Sequence, residues 1–269
     1  MKKRTAFPQK ESLFVIRWRK RLPLIFCYAL QSKFVDDIIY NMDKLLATVK
    51  NYDEILAEVG ALSDHGATLV LATKTVEKEL LERLAEERSG LIYGENRVQE
   101  LLSKYFEKEG LTWHFIGRLQ TNKVKYIVDK VSLIQSVDSL RLAEEIERRA
   151  AKIGKRMDIL LEVNVGGEES KGGVSPEELF PLLKEISGMP HLRLRGLMSV
   201  LPAADEGELV PLYRRLRELF VSVKELRYDN FDVEYLSAGM SGDYPIALKN
   251  GSNMVRVGSA IFGARHYEK

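Results

Sequence analysis

The stretch TLVLATK, residues 68–74, is an apolar run rich in β-branched residues that ends on a lysine. Such a run is typical of a buried parallel strand. Lys74 would then lie at the carboxyl end of the strand, where α/β barrels and open α/β sheets place their chemistry. A partly desolvated amine at such a place can attack a carbonyl, whereas the plainer alternative is a lysine that marks the strand end and points into solvent.

The rest of the chain alternates strand-like runs with charged helical patterns. Strands are predicted over 68–74, 91–94, 112–117, 133–137, 158–164, 192–200, 233–238 and 254–258. Helices are predicted over 42–62, 77–88, 97–109, 139–153, 176–187 and 206–226. Eight strands with helical connections favour a single-domain α/β fold, the closed (β/α)8 barrel. The alternative is an open doubly wound sheet, which more often has fewer strands and a glycine-rich first turn.

Composition and motifs exclude several classes of site. The chain has 269 residues, 45% of them hydrophobic and 30% charged, which suits a soluble globular protein. Its lone Cys27 excludes an internal disulfide framework and suits a reducing, cytoplasmic setting. The four histidines lack ligand-like spacing, so no metal site is expected. Neither a G-x-G-x-x-G nor a P-loop motif occurs, so no dinucleotide or nucleoside triphosphate site is expected.

The positive charge of the chain is concentrated at its start. Residues 1–41 carry nine Lys/Arg against three Asp/Glu, so residues 42–269 carry 32 against 36. The body of the chain therefore lacks the basic stripe that nucleic-acid binding needs. Residues 1–41 could be a disordered basic extension, a weak membrane-surface or targeting segment, or sequence upstream of a true start at Met42. We favour the last, because a regular amphipathic pattern begins there, and expect the barrel to occupy 42–269.

The last predicted strand is the most informative. Arg256 alternates with Val255 and Val257 and so faces the side opposite to them, where it needs a partner, for example in a core ion pair. Gly258 and Ser259 follow at the strand exit, where barrels bind phosphate with backbone amides.

A similar small-residue turn, Gly239 to Gly242, lies one strand earlier. Together with Lys74, the two turns and the arginine indicate a phosphorylated aldehyde cofactor held as a Schiff base. At the other strand ends a single polar residue can be a helix N-cap, the interpretation that we favour for Asp138 and Ser199.

The chain resembles the pyridoxal-5′-phosphate-binding homeostasis protein family, the stand-alone relatives of the alanine racemase N-terminal barrel. The shared motifs are LATKT (71–75), GEN (94–96), WHFIGRLQTNK (113–123), SKGG (170–173), RGLM (195–198), GMS (239–241) and MVRVGSAIFGAR (254–265). The resemblance spans residues 42–269, and residues 1–41 have no counterpart. One departure is Arg118, where many relatives carry proline or histidine.

The resemblance implies a role for each matching residue. Lys74 would form the Schiff base with pyridoxal 5′-phosphate. The phosphate would be held by Ser241, Gly258 and Ser259, and Arg256 would face the pyridine nitrogen. The residues expected near the ring are Asn96, Ile116 and Met240. Lys123 and Lys171 lie in family motifs near the mouth, although each is expected to be a solvated loop lysine.

The sequence favours a carrier over an enzyme. An arginine at the pyridine nitrogen would keep that nitrogen unprotonated and weaken carbanion stabilisation. Racemases of this kind use a tyrosine base from a C-terminal domain, and we expect no such domain after residue 263. Racemisation also needs a second acid–base group, and His114 on its apolar strand is expected to be a packed core residue.

The leading hypothesis is therefore a cytoplasmic protein, a monomer, that binds pyridoxal 5′-phosphate and maintains vitamin B6 homeostasis with little or no catalysis. Apo-enzymes that need the cofactor are the expected recipients, and neither nucleic acid nor membrane is expected as a partner. The runner-up is a weak amino-acid racemase that depends on pyridoxal phosphate. A barrel aldolase that uses Lys74 with a sugar phosphate also remains open.

Overall fold

The structure, a computed structural model, describes residues 32–63, 66–168 and 171–263. Eight strands form a closed barrel in sequence order, and every neighbouring pair is parallel, including β1 with β8. The predicted α/β barrel is confirmed. The strands are β1 Thr68–Ala72, β2 Leu91–Glu95, β3 Leu111–Phe115, β4 Leu133–Val137, β5 Met157–Glu162, β6 Leu192–Met198, β7 Phe231–Met240 and β8 Met254–Val257.

Helices follow the strands along the chain. They are α1 Ser32–Leu62, α2 Lys78–Glu87, α3 Val98–Lys104, α4 Leu140–Lys152, α5 Pro176–Ile186, α6 Glu206–Lys224, α7 Tyr244–Lys249 and α8 Ser259–Phe262, with a 3-10 helix over Thr121–Tyr126. No helix within the described ranges is long and apolar enough to cross a membrane.

Apolar side chains form two layers. The larger layer joins alternate strand residues, such as Leu69 and Leu71, to the inward faces of the helices, for example Leu81 and Leu84 of α2. The smaller layer fills the barrel interior with Val70, Ile116, Leu133, Leu160, Met198 and Met254. Because strand side chains alternate between two faces, β1, β4, β5, β6 and β8 contribute buried residues to both layers. This double burial explains why the strands are nearly continuous apolar runs.

Several elements differ from the sequence prediction. The opening helix begins at Ser32, ten residues before the expected start at Met42. The helix predicted over 97–109 ends at Lys104, because the backbone of Tyr105 (φ −54°, ψ 132°) leaves the helical region. The short helices α7 and α8 and the 3-10 helix were not predicted, since four to six residues are too few for a helical period. Ser199 is not an N-cap, because its hydroxyl donates to the Val163 carbonyl, and the N-cap of α4 is Ser139 rather than Asp138.

The contacts divide the chain into two compact units, Met1–Lys44 and Leu45–Lys269, and all eight strands lie in the second. Residues 1–31 fall outside the described ranges, so the proposed start of the barrel chain at Met42 stays a prediction.

Arginines at the amino-terminal ends of the strands are paired with carboxylates. Arg193 Nε and Nη2 on β6 each donate to Asp158 of β5 at 2.7 Å. Arg195, two residues further, donates to Asp232 and Glu234 of β7. These contacts tie β5, β6 and β7 together at the end of the barrel that faces away from the strand exits.

Gly196 is a point where β6 tolerates no side chain. Its φ is +147°, and a Cβ atom there would lie 1.8 Å from the Tyr235 carbonyl oxygen on β7. We expect Gly196→Ala to lower the free energy of unfolding by about 3 kcal/mol or more, through the clash and the disfavoured backbone.

Gly154→Ala is the matched control, because Gly154 has φ +63° with nothing within 4 Å of its added Cβ. It should cost only about 1–2 kcal/mol, the penalty of the left-handed backbone alone. Urea unfolding of both variants measures the difference, and equal losses would contradict the argument from the clash.

Candidate functional site

The carboxyl-terminal ends of the strands form one face of the barrel, here called the mouth. Lys74 lies at the mouth in a turn, two residues after β1 ends at Ala72, and is partly buried. Gly258 follows β8 directly. Because Leu71 of β1 pairs with Val257 of β8, the turn that carries Lys74 and the exit of β8 are neighbours. A Cβ on Gly258 would lie 2.9 Å from the Ala72 carbonyl oxygen, so only glycine fits there without displacement.

Backbone amides converge on one oxygen at the exit of β8. The N–H groups of Gly258 and Ala260 both donate to Ser241 Oγ, at 3.1 and 3.4 Å. We call Ser241, Gly258 and Ala260 the amide cup. Two amides that meet on one hydroxyl oxygen are arranged as they would be around a phosphate oxygen. Ser259, also predicted to hold the phosphate, is the exposed first residue of α8 between the two donors.

Asp243 holds the turn that carries Ser241. Asp243 accepts the N–H of Met240 through Oδ1 at 2.7 Å, and its other oxygen accepts the hydroxyl of Tyr213 from α6. Burial and the Asp243 carboxylate raise the pKa of Tyr213 above its usual range, so this hydroxyl keeps its proton. The sequence prediction missed both residues, because neither lies in a strand-end motif.

Arg256 points into the barrel, as its alternation with two valines predicted. Its guanidinium is buried and donates to the Ser237 carbonyl at 2.9 Å, to Ser237 Oγ at 2.8 Å and to the Ser199 carbonyl at 2.9 Å. Its partners are thus backbone and hydroxyl oxygens rather than the carboxylate of a core ion pair. Burial lowers the pKa of Arg256, but an arginine stays protonated in proteins, so a positive charge lies inside the mouth.

A chain of hydrogen bonds extends from Arg256 across the barrel. Ser237 Oγ, which accepts from Arg256, donates to Gln135 Oε1 at 2.7 Å, and Gln135 Nε2 lies 3.1 Å from His114 Nδ1. Burial lowers the pKa of His114 to about 3, so the imidazole is neutral at ordinary pH. His114 is therefore a packed, hydrogen-bonded residue, as predicted, and not an acid–base group.

Glu162 at the end of β5 is a titratable group that the sequence analysis did not single out. It is buried, and a Cβ added to Gly172 would lie 3.0 Å from its Oε1. Burial, helped by the nearby Asp138 carboxylate and opposed by Arg256 and Arg118, raises the pKa of Glu162 to about 7. The carboxyl group can thus hold or release a proton near neutral pH.

The residues predicted to lie near a cofactor ring occupy different surroundings. Asn96 follows β2, and its buried Oδ1 has no hydrogen-bond partner among the described residues. Ile116 is buried in the interior layer with Val70. Met240 ends β7 and is partly exposed, in register with Arg256. An orphaned amide, an apolar wall and an exposed thioether fit the edges of a flat, partly polar ring.

The two loop lysines differ from Lys74 in position. Lys123 belongs to the 3-10 helix, and its Nζ lies 5.8 Å from the centre of the Tyr126 ring. Lys171 lies in the long β5–α5 loop, where its N–H donates to the Glu168 carbonyl. Neither follows a strand directly.

The mouth therefore combines a lysine, an amide cup and a buried cation on adjacent strands. These groups fit a compound with an aldehyde, a phosphate and a weakly basic ring nitrogen, and pyridoxal 5′-phosphate has all three. Within the described ranges no group of three or more acidic, histidine or cysteine side chains could hold a metal ion.

Residues 34–266 match the family described as alanine racemase, N-terminal domain. The chain is also similar to a protein of Aquifex aeolicus named pyridoxal phosphate homeostasis protein. The two are 47% identical over 205 residues, which cover 75% of this chain and 88% of the relative. A relative of the same name from Escherichia coli is 34% identical over 241 residues, which cover 87% of this chain and all of the relative.

Among solved structures, the chain is similar to PipY of Synechococcus elongatus with pyridoxal phosphate bound. The TM-score is 0.72 at 28% sequence identity, and the match covers 80% of this chain and 100% of PipY. A family match over most of the chain and relatives above 30% identity agree with the resemblance drawn from the sequence motifs.

Glu162 should make stability depend on pH. Its folded-state pKa of about 7 lies above the reference value of 4.5, so between these values the folded protein keeps a proton that the unfolded chain has released. Stability should therefore fall as the pH rises from about 4.5 to about 7, by up to about 3 kcal/mol. Glu162→Gln, which cannot ionise, should lack this part of the decline.

Urea unfolding of both proteins across this pH range measures the difference. The difference between the two curves isolates Glu162, because every other titrating group is common to both. Parallel curves would mean that Glu162 has the same pKa in the folded and the unfolded protein.

Proposed function

The chain belongs to the alanine racemase N-terminal domain family, and from that premise we propose that it is a pyridoxal 5′-phosphate carrier that contributes to vitamin B6 homeostasis. It binds the cofactor reversibly, with Lys74 as the attachment residue through a Schiff base. Two relatives are named pyridoxal phosphate homeostasis proteins, and PipY binds pyridoxal phosphate. Reversible attachment lowers the concentration of the free, reactive aldehyde. It also lets the cofactor be released to apo-enzymes.

The observation that carries the proposal is the contact between the amide cup and the lysine strand. Gly258 packs on the carbonyl of Ala72, two residues before Lys74. A phosphate in the cup of Ser241, Gly258 and Ala260 would leave the aldehyde of the same molecule close to the turn of β1. Two anchors on adjacent strands favour one ligand that has both groups.

Arg256 supports a carrier rather than a catalyst. When bound, pyridoxal phosphate supplies an aldehyde for amines and a ring that withdraws electrons, most strongly when the ring nitrogen is protonated. A guanidinium facing that nitrogen would oppose its protonation. Because Arg256 is held by Ser237 and Ser199, it cannot easily turn away. Such a site holds the cofactor better than it activates it.

Glu162 is the observation that supports testing the racemase alternative. Racemisation needs two proton-carrying groups on opposite faces of a substrate carbon, and Glu162 titrates near neutral pH at the same mouth as Lys74. If the protein racemises amino acids, Lys74 and Glu162 are the two residues to test first for these roles.

The remaining parts of the proposal concern the cell. We place the carrier in the cytoplasm, as a monomer, with apo-enzymes that require pyridoxal phosphate as recipients. The lone cysteine suits a reducing compartment, and the acidic balance of residues 42–269 argues against nucleic acid as a partner.

Attachment to Lys74 can be tested directly. The protein incubated with pyridoxal phosphate should become yellow, and borohydride reduction followed by peptide mapping should place the pyridoxyl group on Lys74. Lys74→Ala should lose the label completely, whereas Lys123→Ala, the matched control at the same mouth, should keep it. A label that persists in Lys74→Ala would refute the assignment, and a colourless protein would favour the sugar-phosphate aldolase.

Turnover separates a carrier from a racemase. We expect racemisation of alanine by the loaded protein to stay near the background of free pyridoxal phosphate with the same amino acid. Chiral chromatography of the product measures this rate. Racemisation at ordinary enzymatic rates that is abolished by Lys74→Ala would overturn the carrier in favour of the enzyme. A further loss in Glu162→Gln would identify Glu162 as the second proton-carrying group.

A further inference from the structure

Thr75, the residue after Lys74, has an unusual backbone. Its φ of 64° makes it the one residue other than glycine with a positive φ in the part of the chain that the structure describes. A β-branched residue rarely adopts this left-handed conformation, because its Cβ crowds the backbone. A strained residue beside a reactive side chain persists only if its surroundings hold it there.

A carboxylate holds the Thr75 backbone. Glu100, on α3, accepts the N–H of Thr75 through Oε2 at 2.8 Å. The same oxygen lies 3.0 Å from Lys104 Nζ, one helical turn further along α3. Burial alone would raise the pKa of Glu100, but the Thr75 N–H and the Lys104 ammonium outweigh it and lower the pKa, so Glu100 is ionised.

The same lysine holds the residue before Lys74. Lys104 Nζ donates to the Thr73 carbonyl at 2.9 Å and to Glu95 Oε1 at 2.8 Å. Glu95 is fully buried and also accepts the hydroxyl of Thr73 at 2.8 Å. We call Glu95, Glu100 and Lys104 the acid–lysine cluster.

Both neighbours of Lys74 are therefore tied to one ionic group, in which Glu95 and Lys104 are buried and Glu100 is partly exposed. Thr73 is held at its carbonyl and its hydroxyl, and Thr75 at its N–H, whereas none of these contacts involves the Lys74 side chain. A buried ion pair contributes little net stability compared with apolar packing. Stability alone therefore does not account for the presence of the cluster.

We propose that the acid–lysine cluster positions Lys74 by fixing the strained turn, so that its amine meets the aldehyde of a ligand whose phosphate lies in the amide cup. The inference rests on the proposed function and deepens it. Glu95, Glu100 and Lys104 are positioning residues, since they act on Lys74 only through Thr73 and Thr75. The amine is presented in place before the ligand arrives, which lowers the entropy lost on attachment.

Glu100→Ala tests the positioning role with little risk to the fold. Glu100 is partly exposed, and after its removal Lys104 keeps both Glu95 and the Thr73 carbonyl as partners. Losing a hydrogen bond to a charged group should weaken binding of pyridoxal phosphate about tenfold, measured by titration of the visible absorbance. The rate of reductive labelling of Lys74 at limiting cofactor should fall in parallel.

Glu178→Ala is the matched control. Glu178 also accepts a backbone N–H through its carboxylate, that of Ser175 at 2.9 Å, but at the start of α5. Its removal should change pyridoxal phosphate binding by less than about twofold, and unfolding experiments should give the two variants similar losses of stability. Glu100→Gln, which retains an acceptor oxygen for the Thr75 N–H, should bind nearly as well as the unchanged protein.

A double-mutant cycle with Thr75→Gly separates the turn from a general charge effect. Glycine adopts the left-handed conformation freely, so the turn needs less support from Glu100. Glu100→Ala should therefore weaken binding less in the Thr75→Gly background than alone. Equal losses in both backgrounds, or a loss in Glu100→Gln as large as in Glu100→Ala, would overturn the proposal, because the charge would then act without the turn.

The Lys74→Ala variant keeps the two hypotheses apart. If Lys74→Ala loses the reducible label while Glu100→Ala binds pyridoxal phosphate like the unchanged protein, the positioning role is wrong and the carrier stands. If Lys74→Ala keeps the label, the assignment of Lys74 is wrong, and the positioning role is wrong with it.

Discussion

The pairing of β1 with β8 is the constraint on which the site depends. Residues 68–71 pair with residues 254–257, so the barrel closes by joining strands that are far apart in sequence. Closure places the turn of Lys74 against Gly258, where a single added Cβ would meet the Ala72 carbonyl. Lys74 and the amide cup are neighbours only because the sheet is closed. An open sheet with the same strands would leave them at opposite edges.

The arginines at the two ends of the barrel have different hydrogen-bond partners. At the amino-terminal ends of β5, β6 and β7, Arg193 and Arg195 are paired with carboxylates. At the mouth, Arg256 donates only to neutral oxygens. Burial raises the pKa of Glu162 to about 7. Carboxylates thus neutralise the two arginines at one end, whereas Arg256 at the other end has no carboxylate among its hydrogen-bond partners.

The sequence predicted the strands well because burial on both faces leaves a signal in every strand. The same alternation correctly placed Arg256 on the face opposite to Val255 and Val257, which the structure shows to be the barrel interior. Glu162 was missed, since a glutamate that ends an apolar run looks like any strand exit, and its pKa depends on Asp138 and Arg118 from other loops. The partners of Arg256 could not be predicted either, because a backbone carbonyl carries no mark in the sequence.

The contacts of the acid–lysine cluster could not be predicted from the sequence either. Glu100 and Lys104 are spaced by one helical turn, which sequence reasoning interprets as an exposed ion pair on a helix surface. Their contact with Thr73 and Thr75 follows only from the packing of α3 beside the exit of β1. The restraint on Thr73 and Thr75, the two neighbours of Lys74, comes from residues 22 to 31 positions away in the chain. The sequence singles out Lys74, whereas the contacts of Glu100 and Lys104 with its neighbours Thr73 and Thr75 can be recognised only in the fold.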